Sequence, residues 1–428
     1  MTGSKSPAAR AATLPALAVA SALLAQCSPQ TPDTKTGEAA AETLAGGTGR
    51  ERVEANCTSC HQPRIITASS GYTRAQWSEL IATMVALGAA DEREIVDYLA
   101  RHYPPAHNPR PATIVEGPLQ VSFREWIAPQ LGQRARDPVE APDGAYWYVG
   151  QQGNTIGRIN PRTNEVREWP LPEGALPHSV NVDAQGGVWY MGNGNGTIGK
   201  FDPATGQVRE YRMPDPKARD PHTAEFDRNG IMWFTLQQSN MIGRFDPKSG
   251  AIRLVTVQRE RARPYGIKVA SDGSPWVACN GSNCIIRVDP RTMALTEIDL
   301  PGEDTTVRRL DIAGDGMIWY VNSGRGRLGR YDPQTRQIRE WDSPSGPDSH
   351  PYAIAVINGV VWYNESGVRP DPLVRFDPRT ETFRSWPIPS GNLYAGFVRH
   401  MRATRDGNLL LHQGSTNRVI LATLPPAS

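Results

Sequence analysis

Five consecutive residues, Cys57-Thr58-Ser59-Cys60-His61, carry the most specific chemistry in the chain. The C-x-x-C-H spacing puts two thiols on one helical turn, where both can add to the vinyl groups of a haem. The adjacent histidine then lies under the iron as its proximal ligand. Cys57 and Cys60 are therefore candidate thioether positions and His61 a candidate iron ligand. A redox dithiol and half of a zinc site are the competing readings, and zinc needs further Cys or His ligands nearby. A second set of reactive residue types, His, Tyr and Arg, recurs at fixed intervals further along and is taken up below.

The elements around the motif agree with its chemistry. Glu51 to Asn56 reads as a helix running into the first thiol, and a compact helical segment continues to Tyr103. Residues 49–103 resemble a small class I cytochrome c domain. Beyond the attachment motif the likeness includes Trp77, the run from Leu80 to Ala89, and a final helix from Asp91 to Tyr103 with Tyr98-Leu99. The resemblance implies one covalent haem c with a distal methionine in the middle segment. Met84 fits, as the only methionine between His61 and the repeats. If Met84 is only helix core, His102 or His107 would serve a bis-histidine site. A Met/His pair raises the reduction potential and leaves no open position on the iron, which suits electron transfer.

The first residues read as an export segment. Lys5 and Arg10 precede an apolar stretch from Ala11 to Ala25, too short and too poorly flanked for a stable span. Leu24-Ala25-Gln26-Cys27 resembles a bacterial lipoprotein signal, in which the cysteine receives lipid; Gln26 departs from the small residue usual there. Lipidation at Cys27, cleavage without lipid and an uncleaved anchor all fit, and all three export the protein to the periplasm. The membrane is then reached only through that N-terminal lipid or anchor. Residues 1–27 form this segment, and 28–48, rich in small and polar residues, a flexible tether. Residues 104–118 form a stiff linker with four prolines at its start: Pro104, Pro105, Pro109 and Pro111.

Composition limits the rest. The 428 residues are 39% hydrophobic and 21% charged, with 40 glycines and 37 prolines, which points to many turns and an all-β body. Net charge is +2 and no basic run occurs, so nucleic-acid binding has no electrostatic footprint. Cys279 and Cys284 flank an Asn-Gly hairpin loop. In an oxidising compartment they can form a disulfide. A metal pair is the weaker reading, because no histidine lies close in sequence.

From residue 119 to the end the chain repeats. Tryptophan recurs at 147, 189, 233, 276, 319 and 362, at intervals of 42, 44, 43, 43 and 43 residues. Each is followed by a copy of Ile156-Gly157-Arg158-Ile159-Asn160-Pro161, weakest in the later copies. A seventh, degenerate copy has Leu410 in the tryptophan place. Four strand-like runs per period of about 43 residues predict a seven-bladed β-propeller preceded by a small all-α domain. The last copy lacks an outer strand, and Val121 to Trp126 resembles the outer strand Val166-Arg167-Glu168-Trp169, so the N-terminal strand is expected to close the ring. The repeated tryptophans read as packing between blades.

The inner strands start eleven residues before each tryptophan, where a propeller gathers its side chains on the axis. These positions hold Arg136, His178, His222, Tyr265, Arg308, Tyr352 (after a one-residue deletion) and Arg399. Three arginines at one mouth repel one another unless something negative sits between them; Asp137, Glu225 or Asp311 can pair with some of that charge, and an anionic or carbonyl-rich ligand is expected for the rest. The repeat resembles virginiamycin B lyase, the streptogramin-inactivating family, in its Pro-His or Pro-Tyr-Gly starts, its Asp-Gly-x-x-Trp turns and its Ile-Gly-Arg-Phe-Asp-Pro strands. The resemblance implies an elimination that opens a lactone ester, with Mg²⁺ polarising the oxygens. His222 would match the general base, His178 the metal-side histidine and Tyr265 the substrate-side tyrosine. Where the family has a glutamate this chain has Gln237, which puts Mg²⁺ in doubt; Glu225 is a conceivable substitute.

Three functions follow as expectations. The first is an exported haem c electron-transfer protein whose propeller binds a substrate or a redox partner protein; the fusion favours it, since an elimination needs no electron carrier. The second is a carbon–oxygen lyase of the streptogramin type. The third is a ligand-binding propeller without turnover.

Overall fold

The computed structural model describes residues 43–58, 63, 66, 72–82, 87–104, 111–130, 133–302, 306–392 and 398–426. Seven four-stranded antiparallel sheets make up its main body. Within six of them the strands follow chain order from the axis outward. The seventh places Ser122–Ile127 outside the strands of residues 398–423. There Ser122 pairs with Thr423 and Ile127 with Arg418, so the ring closes by joining the two ends of the propeller sequence, as the repeat count requires. The sheets are numbered here as blades 1 to 7, starting at residues 135, 180, 221, 264, 307, 351 and 398.

The repeat residues explain their own recurrence. All six tryptophans are buried, and they pack between blades: Trp147 against Phe201, Trp189 against Phe245, Trp276 against Tyr331 and Trp319 against Phe376. The aromatic residue after the tryptophan lies over the glycine of the next strand. Tyr148 faces Gly157, Tyr190 faces Gly199, Phe234 faces Gly243 and Tyr320 faces Gly329. A methyl group at any of these glycines would overlap the ring. Three of these phenols then donate to a glutamate of the outer strand, at 2.5 Å for Glu168, 3.2 Å for Glu210 and 3.0 Å for Glu340.

Six of the seven inner strands slip register at the same place, between Arg136 and Val139, Pro221 and Ala224, Pro264 and Ile267, Val307 and Leu310, Pro351 and Ile354, and Val398 and Met401. A bulge breaks the two-residue alternation of a strand and re-aims its side chains. The side chains of two consecutive residues are therefore buried at the axial end of a strand, as in Arg136-Asp137 and His222-Thr223. Polar side chains of second strands take up backbone groups near the bulges. Asn364 Oδ1 accepts from the Ala353 N–H at 2.8 Å, and His412 Nδ1 from the Asp137 N–H at 3.1 Å.

One of these second inward residues ties the ring together. Arg309, 3% exposed, leaves blade 5 and crosses the axis. It donates to Thr223 Oγ1 of blade 3 at 3.1 Å and to the Arg399 carbonyl of blade 7 at 3.2 Å. It also stands 3.7 Å from the Asp137 carboxylate of blade 1, and 5.0 Å from the centre of the Tyr265 ring of blade 4. Gly266 makes room for it, because a Cβ there would come to 3.0 Å from Arg309 Cα.

Among the described residues before the propeller lie α1 (Arg50–Cys57), α2 (Arg74–Ala82) and α3 (Ala89–His102). They bury Leu44, Val53, Trp77, Ile81, Ile95, Tyr98 and Leu99 in one cluster, against which Cys57 and Ile127 pack. Asp91 and Glu92 begin α3 and Arg101 and His102 end it, which complements the helix dipole. At Gly49, whose φ is 97°, a Cβ would press on Tyr98, so the start of α1 sits directly on α3. Among the described residues no helix is long and apolar enough to cross a membrane. Residues 111–118, expected as the end of a spacer, are bonded to the propeller edge. Ala112 N–H reaches the Arg369 carbonyl at 3.0 Å, Thr113 N–H reaches Ser345 at 2.9 Å and Val115 N–H reaches Ser385 at 2.8 Å.

Two stability measurements follow. Gly243→Ala forces its methyl into Phe234 and should cost about 1–3 kcal/mol, read as a lowered denaturant midpoint. Arg309→Met leaves the Asp137 carboxylate buried without its counter-charge and should cost about 3–5 kcal/mol. The double variant with Asp137→Asn should recover part of that loss; strict additivity would show that the two groups are not coupled.

Candidate functional site

All seven residues expected at the mouth occupy the axial end of their blades. Arg136, His222, Tyr265, Arg308, Tyr352 and Arg399 are each the second residue of an inner strand, and His178 lies two residues before Val180–Val182. Three of them form a continuous stack. The His178 and His222 rings lie 3.4 Å apart between centroids, and His222 lies 4.3 Å from Tyr265. His178 Nδ1 is bonded to the His222 carbonyl at 3.0 Å, and His222 Nδ1 to the Thr223 hydroxyl at 2.9 Å. The Tyr265 and Tyr352 hydroxyls then meet at 2.6 Å.

Cationic groups surround this stack. Arg308 lies 4.8 Å and Arg399 6.0 Å from the centre of the Tyr352 ring. Arg136 donates to Gln151 Oε1 at 2.7 Å, while its Nε and Nη2 are buried without a hydrogen-bond partner among the described residues; Arg308 Nε is in the same state. The acidic groups on the axis are engaged elsewhere. Asp137 faces Arg309 and His400, each at 3.7 Å. Glu225 stands 3.6 Å from Lys268. Asp311 accepts the Val356 N–H at 2.7 Å and the Ile312 N–H at 2.9 Å.

The electrostatics follow from burial among arginines. Burial, reinforced by Arg136, pushes His178 and His222 well below the usual imidazole range, so both are neutral. His400 and His412 are lowered for the same reason, burial first and then Arg309 and Arg136 respectively. Crowding is strong enough that Arg399, then burial and Arg136, depress Arg134. Burial alone would raise Tyr352, but Arg308 and Arg399 outweigh it and bring the phenol down to about 7. Burial and its neighbour Tyr352 push Tyr265 up.

Sequence reasoning weighed Asp137 as a counter-charge for the mouth arginines, and its carboxylate faces Arg309 instead; it missed Arg134, Arg309, His400 and His412. Three of these four follow from the bulges, either as second inward residues or as partners of one. The one local signal was the glycine of Pro264-Tyr265-Gly266, which leaves space for Arg309. The donor set does not fit Mg²⁺. Among the described residues no three His, Cys, Asp or Glu side chains converge. Arginines stand where carboxylates would be needed, Glu225 is held by Lys268, and Gln237 has no charge.

The remaining sites separate into two groups. Cys27, Cys60, His61, Met84 and His107 lie outside the described residues. Cys57 ends α1 and is half-buried. His102 Nε2 is buried near Gly47 without a hydrogen-bond partner among the described residues. Cys279 and Cys284 are buried thiols that end and begin adjacent strands, with their sulfurs 2.8 Å apart.

Comparison with known proteins agrees with the propeller. The Virginiamycin B lyase family model matches residues 120–278, which takes in the strand Ser122–Ile127, blades 1 to 3 and the inner half of blade 4. His178, His222 and Tyr265 fall inside that match; Arg308, Tyr352 and Arg399 fall beyond it. A streptogramin B lyase structure superposes with a TM-score of 0.64 at 23% identity, covering 71% of this chain and 98% of that one. Virginiamycin B lyase from Staphylococcus aureus gives 0.63 at 23% identity, over 71% and 100% of the two chains. Kuenenia stuttgartiensis hydrazine synthase gives 0.56 at 13% identity, over 69% and 97%. No curated protein sequence matches the chain. The C-terminal body is a seven-bladed β-propeller related to virginiamycin B lyase.

Proposed function

We propose that the axial mouth binds a carbonyl-bearing substrate and opens a carbon–oxygen bond by elimination, in the manner of virginiamycin B lyases. The observation that carries this reading is the stack of His178, His222 and Tyr265, inside the family match, joined through the Tyr265–Tyr352 hydroxyl pair to the ring that Arg308 and Arg399 flank. In this reading the imidazole of His222, kept neutral by burial, takes the proton beside the carbonyl. That C–H electron pair becomes the new carbon–carbon double bond. The carbon–oxygen bond breaks, and its pair leaves on a carboxylate. Arg308 and Arg399 stabilise that developing charge, the part that a metal plays in the family reading. His178 braces His222, and Tyr265 lines the substrate side.

Quinupristin, present in one of the matched lyase structures, is the first compound to try. Elimination gives a ring-opened product of unchanged mass, whereas hydrolysis adds water, so mass spectrometry separates the two. His222→Ala should lower turnover by about 10²–10⁴. Arg308→Ala should lower it by about 10²–10³. Because burial holds His222 below the ordinary imidazole range, activity should persist on the acid side of pH 6.5, where an exposed histidine would be protonated. Full activity of His222→Ala would end this reading.

A second reading concerns residues 49–103 and rests on the Cys57-Thr58-Ser59-Cys60-His61 motif at the end of α1. Cys57 and Cys60 would hold haem c by thioethers and His61 and Met84 would hold its iron, and the group would supply one-electron transfer to a partner protein or to the propeller's ligand. Export by the N-terminal segment, with lipid on Cys27, would place the chain in the periplasm. Expression with cytochrome c maturation should give a chain heavier by one haem. Cys57→Ser and Cys60→Ser together should abolish that mass, and Met84→Ala should leave it while shifting the reduced spectrum. A wild-type chain of unmodified mass would overturn this assignment.

A further inference from the structure

We propose that the arginine mouth binds a carboxylate in exchange for a charge of its own: the ligand's carboxylate replaces a phenolate on Tyr352, which takes up a proton as the ligand arrives. The proposal rests on the axis being the ligand site, but not on any elimination there.

The geometry is a phenol pair enclosed by guanidinium groups. Tyr265 of blade 4 and Tyr352 of blade 6 reach each other past blade 5, oxygen to oxygen at 2.6 Å. A phenolate accepting from a phenol is a charge-assisted bond, stronger than one between two neutral hydroxyls. Arg308 and Arg399 flank the Tyr352 ring, and Arg309 lies 5.0 Å from the centre of the Tyr265 ring. Arg136 and Arg134 complete the cationic side. The other titratable groups around the axis do not supply a counter-charge: His178, His222, His400 and His412 are neutral through burial. Asp137 faces Arg309, Glu225 faces Lys268, and Asp311 is taken by backbone N–H groups.

The arginines therefore have a negative partner of their own in the free protein, consistent with a Tyr352 phenol lowered to about 7. A carboxylate matches guanidinium geometry better than a phenolate, because its two oxygens can accept a pair of parallel N–H donors. Arg136 Nε and Nη2 and Arg308 Nε are buried donors without an acceptor among the described residues. Two anions in the same enclosure would repel, so the incoming carboxylate favours return of a proton from solvent to the Tyr352 oxygen. No bond to the ligand forms, and the net charge of the mouth is the same before and after. The sign of the linkage follows. Below the phenol's titration Tyr352 is already neutral and affinity does not depend on pH. Above it each further pH unit should weaken carboxylate binding about tenfold.

Acetate is the probe, with the full-length chain. Calorimetry in two buffers of different ionisation enthalpy measures proton uptake, and ultraviolet absorbance follows the phenolate. At mildly alkaline pH the free protein should show phenolate absorbance that acetate removes, with matching proton uptake. Tyr352→Phe should lose both signals and flatten the pH dependence. Arg308→Ala should move the phenolate's appearance to higher pH. Binding without proton uptake, no saturable acetate binding, or no phenolate below the ordinary tyrosine range in the wild-type chain would each overturn the proposal. If acetate binds with proton uptake while quinupristin stays intact, the elimination reading fails and this one stands.

Discussion

The guanidinium of Arg309 reaches four other blades, and the axis is organised around it. A propeller holds its blades together mainly by apolar packing between neighbouring sheets, which says little about blades on opposite sides of the ring. Arg309 supplies that long-range link through Thr223, the Arg399 carbonyl, Asp137 and the Tyr265 ring. It can do so because a bulge turns the second and third residues of its strand inward together, and because Gly266 leaves it space. The arrangement commits Asp137 to Arg309. The arginines nearer the mouth must then look elsewhere for negative charge.

That division sets the chemistry of the mouth. Several guanidinium groups converge on the mouth, Arg136 buried and Arg134, Arg308 and Arg399 half-buried, where electrostatic interactions are stronger than in open water and unpaired charges are costly. The protein answers with neutral imidazoles and with two phenols in contact. Imidazoles held neutral can accept protons, and guanidinium groups can stabilise an oxygen that gains charge. The same enclosure that disfavours a metal cation favours a carbonyl or carboxylate ligand. The mouth thus differs electrostatically from what the resemblance to the lyases implies, although its His-His-Tyr order is the same.

The helical segment and the propeller share a boundary. Ile127, on the strand that closes the ring, packs against the helical core, and Arg418, its partner in that strand pair, lies 5.8 Å from the centre of the Tyr72 ring. The segment that begins at Pro111 is bonded along blade 6. Cys57, at the end of α1, packs against the same helical core that Ile127 of the closing blade meets.

Periodicity alone determined the number of blades, the closing strand, the packing role of the tryptophans and the seven residues that begin the inner strands. These are local or regularly repeated features: a turn residue, a two-residue alternation and a fixed spacing survive without knowledge of the fold. The same alternation hid Arg309 and His400, since an ideal strand would send both of them away from the axis. Only the folded chain places the bulges, and only then do adjacent residues point the same way. The pairing of Tyr265 with Tyr352, 87 positions apart, was equally out of reach, although both residues were in view. Contact across a ring depends on which blades face each other and on how far each side chain extends. The spacing of residues along the chain sets neither of these, and they decide which arginine meets a carboxylate and which meets a phenol.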